Sequence, residues 1–104
     1  VGQEEPSVTV TIVSPPSELI LPVDQAVAVR YRARGTVTTL ELWHDNTLLV
    51  VDPVEAEQEI SHAWAPATVG FHHLTVRALE NSTLLATAER RVIGVPRGLP
   101  VRLS

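Results

Sequence analysis

An all-β fold of two facing sheets is predicted for this 104-residue chain, and three observations predict it. Residues 26–33 alternate without error: Val27, Val29, Tyr31 and Ala33 fall on one side, Ala28, Arg30 and Arg32 on the other, with Arg34 next in line. Successive strand side chains point to opposite faces of a sheet, so this is a strand with one apolar and one basic face. A second run repeats the pattern, Leu74, Val76 and Ala78 against Thr75 and Arg77. A helix drawn through either run would scatter its arginines around the whole circumference. Turn signals then recur roughly every 8–12 residues, the spacing of a two-sheet sandwich with seven to eight short strands.

In residues 8–14, Val8, Val10 and Ile12 share one face and Thr9, Thr11 and Val13 the other. Pro15 and Pro16 end this strand, because neither can donate to a ladder. A short piece, residues 19–21, is closed by Pro22, so the first strand is split by prolines, as suits a sheet edge. Residues 25–34 form the strand described above, ended by Gly35. Residues 37–43 follow, with Leu40 and Leu42 on one side and Glu41 and Trp43 on the other. His44, Asp45, Asn46 and Thr47 make a tight turn, Asp-Asn suiting the positive φ of a two-residue hairpin.

Residues 48–51 return, and Asp52-Pro53 is expected to stop them. Within residues 56–64, Ile60, His62 and Trp64 lie on one face, opposite Glu59, Ser61 and Ala63. Residues 66–70 read as a loop, 71–79 as a strand and 80–83 as the next turn. Residues 84–95 close the domain as a long last strand. Residues 84–91 also fit a helical drawing, but their place after a hairpin turn requires a partner for the preceding strand. The domain is expected to span residues 7–95, with a linker over 1–6 and a tail or inter-domain linker over 96–104.

Hydrophobic residues make up 44% of the chain, which argues for a folded domain. Aromatic residues make up only 4%, so the core is built from Val, Leu, Ile and Ala, which suit thin sheet-on-sheet packing. The net charge of −4 comes without a basic cluster, which argues against nucleic acid as a partner. The absence of cysteine excludes disulfides, a thiolate nucleophile and a cysteine-held metal. No stretch approaches the roughly 18–20 apolar residues of a membrane span, so direct membrane insertion is not expected. The chain begins at Val1, as expected of a segment cut or processed from a longer protein.

Four segments resemble a bacterial immunoglobulin-like domain of the kind repeated in tandem in secreted and surface proteins. Val10-Thr11-Ile12-Val13-Ser14-Pro15 is similar to that family's first strand running into a Ser-Pro break, and residues 27–33 to its second. Residues 37–46, from Val37 through Leu40, Leu42 and Trp43 to Asp45-Asn46, resemble its strand and Asp-Gly hairpin, with Asn46 in place of glycine. Trp64-Ala65-Pro66, then Gly70-Phe71-His72-His73-Leu74-Thr75-Val76-Arg77-Ala78, is the nearest likeness. The resemblance spans roughly residues 8–95. It implies an immunoglobulin-like or fibronectin III-like sandwich of two antiparallel sheets in an extracellular or envelope-exposed setting. It also puts His72 where such folds often place a tyrosine that pins a backbone corner, and a ring nitrogen is a possible substitute donor. No cofactor or defined ligand is implied.

No catalytic or metal-binding set converges in the sequence. His72 and His73 point to opposite faces of one strand, His44 falls in a turn, and His62 alternates inward with Ile60 and Trp64, so a structural, hydrogen-bonded His62 or His72 is expected in preference to a metal set. Asp45, Asp52 and Glu55 lack calcium-loop spacing. Ser61 beside His62, and Asp45 beside His44, are strand neighbours that face apart, so neither makes a nucleophile–base contact. Asn81-Ser82-Thr83 fits a glycosylation sequon, which the bacterial resemblance implies is silent. Trp43 alternates out of phase with Leu40 and Leu42 and is expected to pack on an outer sheet face against an arginine stem such as Arg30 or Arg32. The sharper alternative is a binding surface made of Trp43, His44, Asp45 and Asn46, open to a glycan or a cell-surface protein. The leading expectation is a non-enzymatic structural or spacer module whose partners are the neighbouring domains of its own chain. Adhesive and carbohydrate- or protein-binding roles, or an accessory role beside a secreted hydrolase, are the alternatives.

Overall fold

The computed structural model describes residues 8–54 and 58–96. The expected N-terminal linker, all of the expected tail but Pro96, and Glu55 and Ala56 lie outside the described residues. Eight strands follow one another: β1 Thr9–Ser14, β2 Leu19–Pro22, β3 Val27–Arg34, β4 Thr39–His44, β5 Thr47–Pro53, β6 Ile60–Trp64, β7 Gly70–Glu80 and β8 Thr83–Val95. They form two sheets, one in the order β1-β3-β6 and one in the order β2-β8-β7-β4-β5. Residues 84–91 are strand, as their place after the hairpin requires.

The proline break divides the first strand between the sheets. β1 pairs antiparallel with β3, the chain crosses over at Pro15 and Pro16, and β2 then pairs with β8. Because β2 keeps the direction of β1 after the crossing, it runs parallel to β8, the one departure from two wholly antiparallel sheets among the described strands. β5 continues through Pro53 instead of stopping at Asp52. Pro53 lies on an edge strand, where a missing donor breaks no ladder. Both hairpins have two-residue loops. Asn81 and Ser82 both take positive φ, 51° and 75°, whereas in the Asp45-Asn46 turn only Asp45 does, at 55°.

The alternation read in the sequence is the alternation of burial. Val29, Tyr31 and Ala33 of β3 and Ile12 of β1 face Leu40, Leu42, Leu74, Val76, Ala78 and Val92 of the larger sheet across one core. Arg30, Arg32 and Arg34 stay exposed on the opposite face of β3. A fully buried Leu or Val contributes about 1.5–3 kcal/mol, so this layer is the main favourable term in the fold. Polar contacts cross the layer at its margins. Asp52 Oδ2 on β5 lies 2.7 Å from His62 Nε2 on β6, and Arg90 Nη2 on β8 donates to the Ile12 carbonyl on β1 at 2.9 Å.

Tyr31 is fully buried, and its hydroxyl has no hydrogen-bond partner among the described residues. Burial, and second to it the negative Asp52 carboxylate, push its phenol well above the ordinary value. In the unfolded chain the same phenol ionises near pH ~10. A folded value raised in this way gives stability that is complete below pH ~10 and declines as pH rises beyond it. Tyr31 is the sole tyrosine. The folded protein is therefore expected to show no tyrosinate absorbance at alkaline pH until it unfolds. Tyr31→Phe should be neutral to stabilising at pH 7, by up to about 1 kcal/mol, and should flatten the alkaline decline. A tyrosinate titration near pH ~10 in the folded state would refute this account.

Candidate functional site

One end of the sandwich gathers the histidines, and the register of three strands explains how. His44 ends β4 opposite Leu74 of β7, and its side chain continues the inward phase of Leu40 and Leu42. His72 enters β7 on the same inward phase as Leu74 and Val76 and is 3% exposed. Trp64, the last residue of β6, closes the end from the opposite sheet. Its ring centroid lies 5.4 Å from His44 and 5.6 Å from His72, while the two imidazoles stack at 5.0 Å. Trp64 is half-buried against the core, the inward setting its alternation predicts.

The hydrogen bonds fix the protons. His72 Nε2 lies 2.8 Å from the Thr68 carbonyl, which only accepts, so Nε2 carries hydrogen and Nδ1 presents a lone pair. That lone pair lies 2.8 Å from His44 Nε2, which donates to it. Thr68 Oγ1 is 3.5 Å from His72 Nε2, but a nitrogen already holding a proton cannot take one from a hydroxyl. The Thr68 carbonyl comes this close because position 94 is glycine: a Cβ on Gly94 would stand 2.5 Å from that oxygen.

No protein-family model and no curated sequence matches the chain. Solved structures do. The solution structure of the CARDB domain of a Pyrococcus furiosus protein is similar with a TM-score of 0.71 and 19% identity, over 89% of this chain and 98% of that one. The Clostridium thermocellum CbhA fibronectin(III)-like modules reach 0.72 at 14% identity, over 98% of this chain and 54% of theirs. A crystal structure of the same CARDB domain in complex with di-metal ions gives 0.66 at 16%, over 88% of each chain. This chain folds as an immunoglobulin-like β-sandwich. In such sandwiches a tyrosine hydroxyl often pins a corner to backbone a few residues upstream. Here His72 occupies that place and pins Thr68 through its ring nitrogen.

Of the four residues proposed for a surface, the immunoglobulin-like sandwich brings three outward. Trp43 lies on the outer face of the larger sheet, and Asp45 and Asn46 form the exposed turn beside it. His44 turns inward to Trp64 and His72. The arginine over Trp43 is Arg77 from the adjacent β7, its Cζ 4.4 Å from the ring centroid, and not Arg30 or Arg32, which belong to the other sheet. Trp43 Nε1 also donates to Glu41 Oε1 at 2.9 Å. Next to this stack a shallow groove runs along β7 and β8, bordered by Asn46, His73, Thr75, Arg77, Thr87 and Glu89. His62 is hydrogen-bonded to Asp52, as the structural reading of that residue expects.

Sequence reasoning missed the meeting of His44 with His72. Its only signal is the β4–β7 register, which sets His44 opposite Leu74, two residues from His72. Gly94→Ala tests the corner directly. Backbone cannot yield as a flexible side chain would, so a loss of roughly 1–3 kcal/mol in denaturant unfolding is expected. Unchanged stability would mean that the Thr68–His72 contact does not require glycine.

Proposed function

We propose that this chain is a non-catalytic structural or spacer module of a larger exported protein, held outside the cell or in its envelope and flanked by other domains. The observation that carries this reading is where the chain enters and leaves the sandwich. Thr9 pairs with Arg34 at one end of β3, while Val27 at the other end pairs with Trp64. Trp64 stands over His72, which pairs with Val92, and Val95 lies just beyond, accepting from Val23 N at 2.9 Å. The first and last strands therefore open at opposite poles, separated by at least the length of β3, roughly 25 Å at about 3.3 Å per residue. A module wired in this way holds its neighbours apart along one line. Small-angle scattering on chains of one, two and three tandem copies is the test. The longest dimension is expected to grow by at least roughly 25 Å with each copy. A dimension that stays nearly constant would reject the spacer reading.

The groove beside Trp43 favours a second reading, recognition of a glycan or a surface protein. One ring face is already covered by Arg77. A sugar would stack on the remaining surface and hydrogen-bond to Thr75, Thr87 and Asn46, which line the groove. On this reading a glycan array probed with the wild-type chain gives defined hits, and Trp43→Ala abolishes them. No hits, or hits indifferent to Trp43→Ala, would remove the groove from consideration.

A further inference from the structure

We infer that His44, Asp45 and His72 form a binding site for one divalent transition-metal ion of the zinc class, set in the rim of the sandwich between the end of β4 and the start of β7. One ligand atom from each, drawn from His44, Asp45 and His72, lies within 4.8 Å of the other two. Two imidazoles and one carboxylate suit zinc and its first-row neighbours and are too rich in nitrogen for calcium or magnesium.

Two of the ligands are aimed by partners outside the set. The Thr68 carbonyl holds the proton of His72 on Nε2, which leaves Nδ1 as a lone pair directed at the site. Ligating histidines are oriented in this way by a carbonyl or carboxylate on the far nitrogen. Asp45 stands at positive φ in the hairpin, and its Oδ1 accepts from the backbone N–H of His73 at 3.1 Å. That bond steadies the carboxylate with Oδ2 3.4 Å from His44 Nε2. The His73 ring faces the outer groove, where its Nδ1 lies 4.0 Å from Asp45 Oδ1 and adds to the hold on that carboxylate.

The spacings fit a tetrahedral ion. Bonds of about 2.0–2.1 Å place neighbouring ligand atoms roughly 3.3 Å apart. The His44–Asp45 distance already has this value. The two imidazole nitrogens stand 2.8 Å apart because a proton lies between them, so an ion replacing that proton needs them to part by about half an ångström. His44 then moves its hydrogen to Nδ1, so both imidazoles stay neutral, no proton is released, and the Asp45 carboxylate offsets one of the ion's two charges. The His44 side chain is 24% exposed and that of Asp45 49%, which leaves the fourth position to water. The backbone order is already in place without the ion, since Gly94, Thr68 and Trp64 hold His72. The site therefore binds metal to a folded domain instead of folding it.

Isothermal titration of the untagged full-length chain with Zn2+, and visible d–d absorption on titration with Co2+, test the assignment. One equivalent is expected, with cobalt bands of a four-coordinate site containing nitrogen. His44→Phe keeps a ring against Trp64 and His72 but has no ligand atom. Asp45→Asn keeps the turn and the oxygen that receives the His73 N–H. Each is expected to weaken zinc binding by more than the roughly 10–100-fold that loss of a supporting partner costs. Glu89→Gln, an exposed acid of the outer groove, is expected to leave it unchanged, and circular dichroism of the three variants should match wild type. Zinc uptake lost in His44→Phe and Asp45→Asn but kept in Glu89→Gln establishes the site. No uptake at about 1 mM ion, or uptake indifferent to His44→Phe, overturns it.

Discussion

Two sheets of this chain press together on a single layer of aliphatic side chains, and any polar group that enters that layer must find its partner there. Val29, Tyr31 and Ile12 on one side and Leu40, Leu42, Leu74, Val76 and Val92 on the other leave no room for water between them. The polar residues that do point inward are accordingly confined to the rims, and most of their contacts reach the opposite sheet. Asp52 meets His62, Arg90 meets the Ile12 carbonyl, and His44 and His72 are covered by Trp64. Each such contact costs desolvation and recovers it through a charge-assisted or shared hydrogen bond. Two atoms are exceptions among the described residues, Arg90 Nε and the Tyr31 hydroxyl, and burial, with the Asp52 carboxylate second, pushes the ionisation of that phenol upward.

The histidine at the corner position has a structural cost that a tyrosine there would not have. A phenol offers one polar atom, and a single backbone partner satisfies it. An imidazole offers two nitrogens, so pinning Thr68 with one leaves the other buried and in need of a donor. His44 meets that need by turning inward at the end of β4, the point where the hairpin begins. The turn residue Asp45 then bonds the backbone of β7. Histidine at this corner ties a hairpin, a corner loop and the last residue of β6 into one cluster.

Much of this was legible in the sequence, because alternation reports which side a strand residue faces. Val29, Tyr31, Leu40, Leu42, Leu74 and Val76 all lie inward as their spacing predicts, and the prolines at 15 and 16 mark the place where the chain leaves one sheet for the other. Beyond the two hairpins the pairing of strands was not legible, since nothing local in residues 39–44 says which residues of 70–80 lie beside them. Arg77 over Trp43 and His44 against His72 both depend on that pairing. The parallel course of β2 was hidden for a related reason: four residues carry no mark of which neighbour they will join. Pro53 shows the limit of a breaker rule, for on an outer strand its missing N–H faces no partner.

The aliphatic layer has one further property, which comes from what it omits. With neither cysteine nor methionine in the chain, the core contains no sulfur. Peroxide and related two-electron oxidants, which turn thiols to sulfenic acids and thioethers to sulfoxides, find no target in it. The packing that holds the two sheets together is thus indifferent to the redox poise of its surroundings.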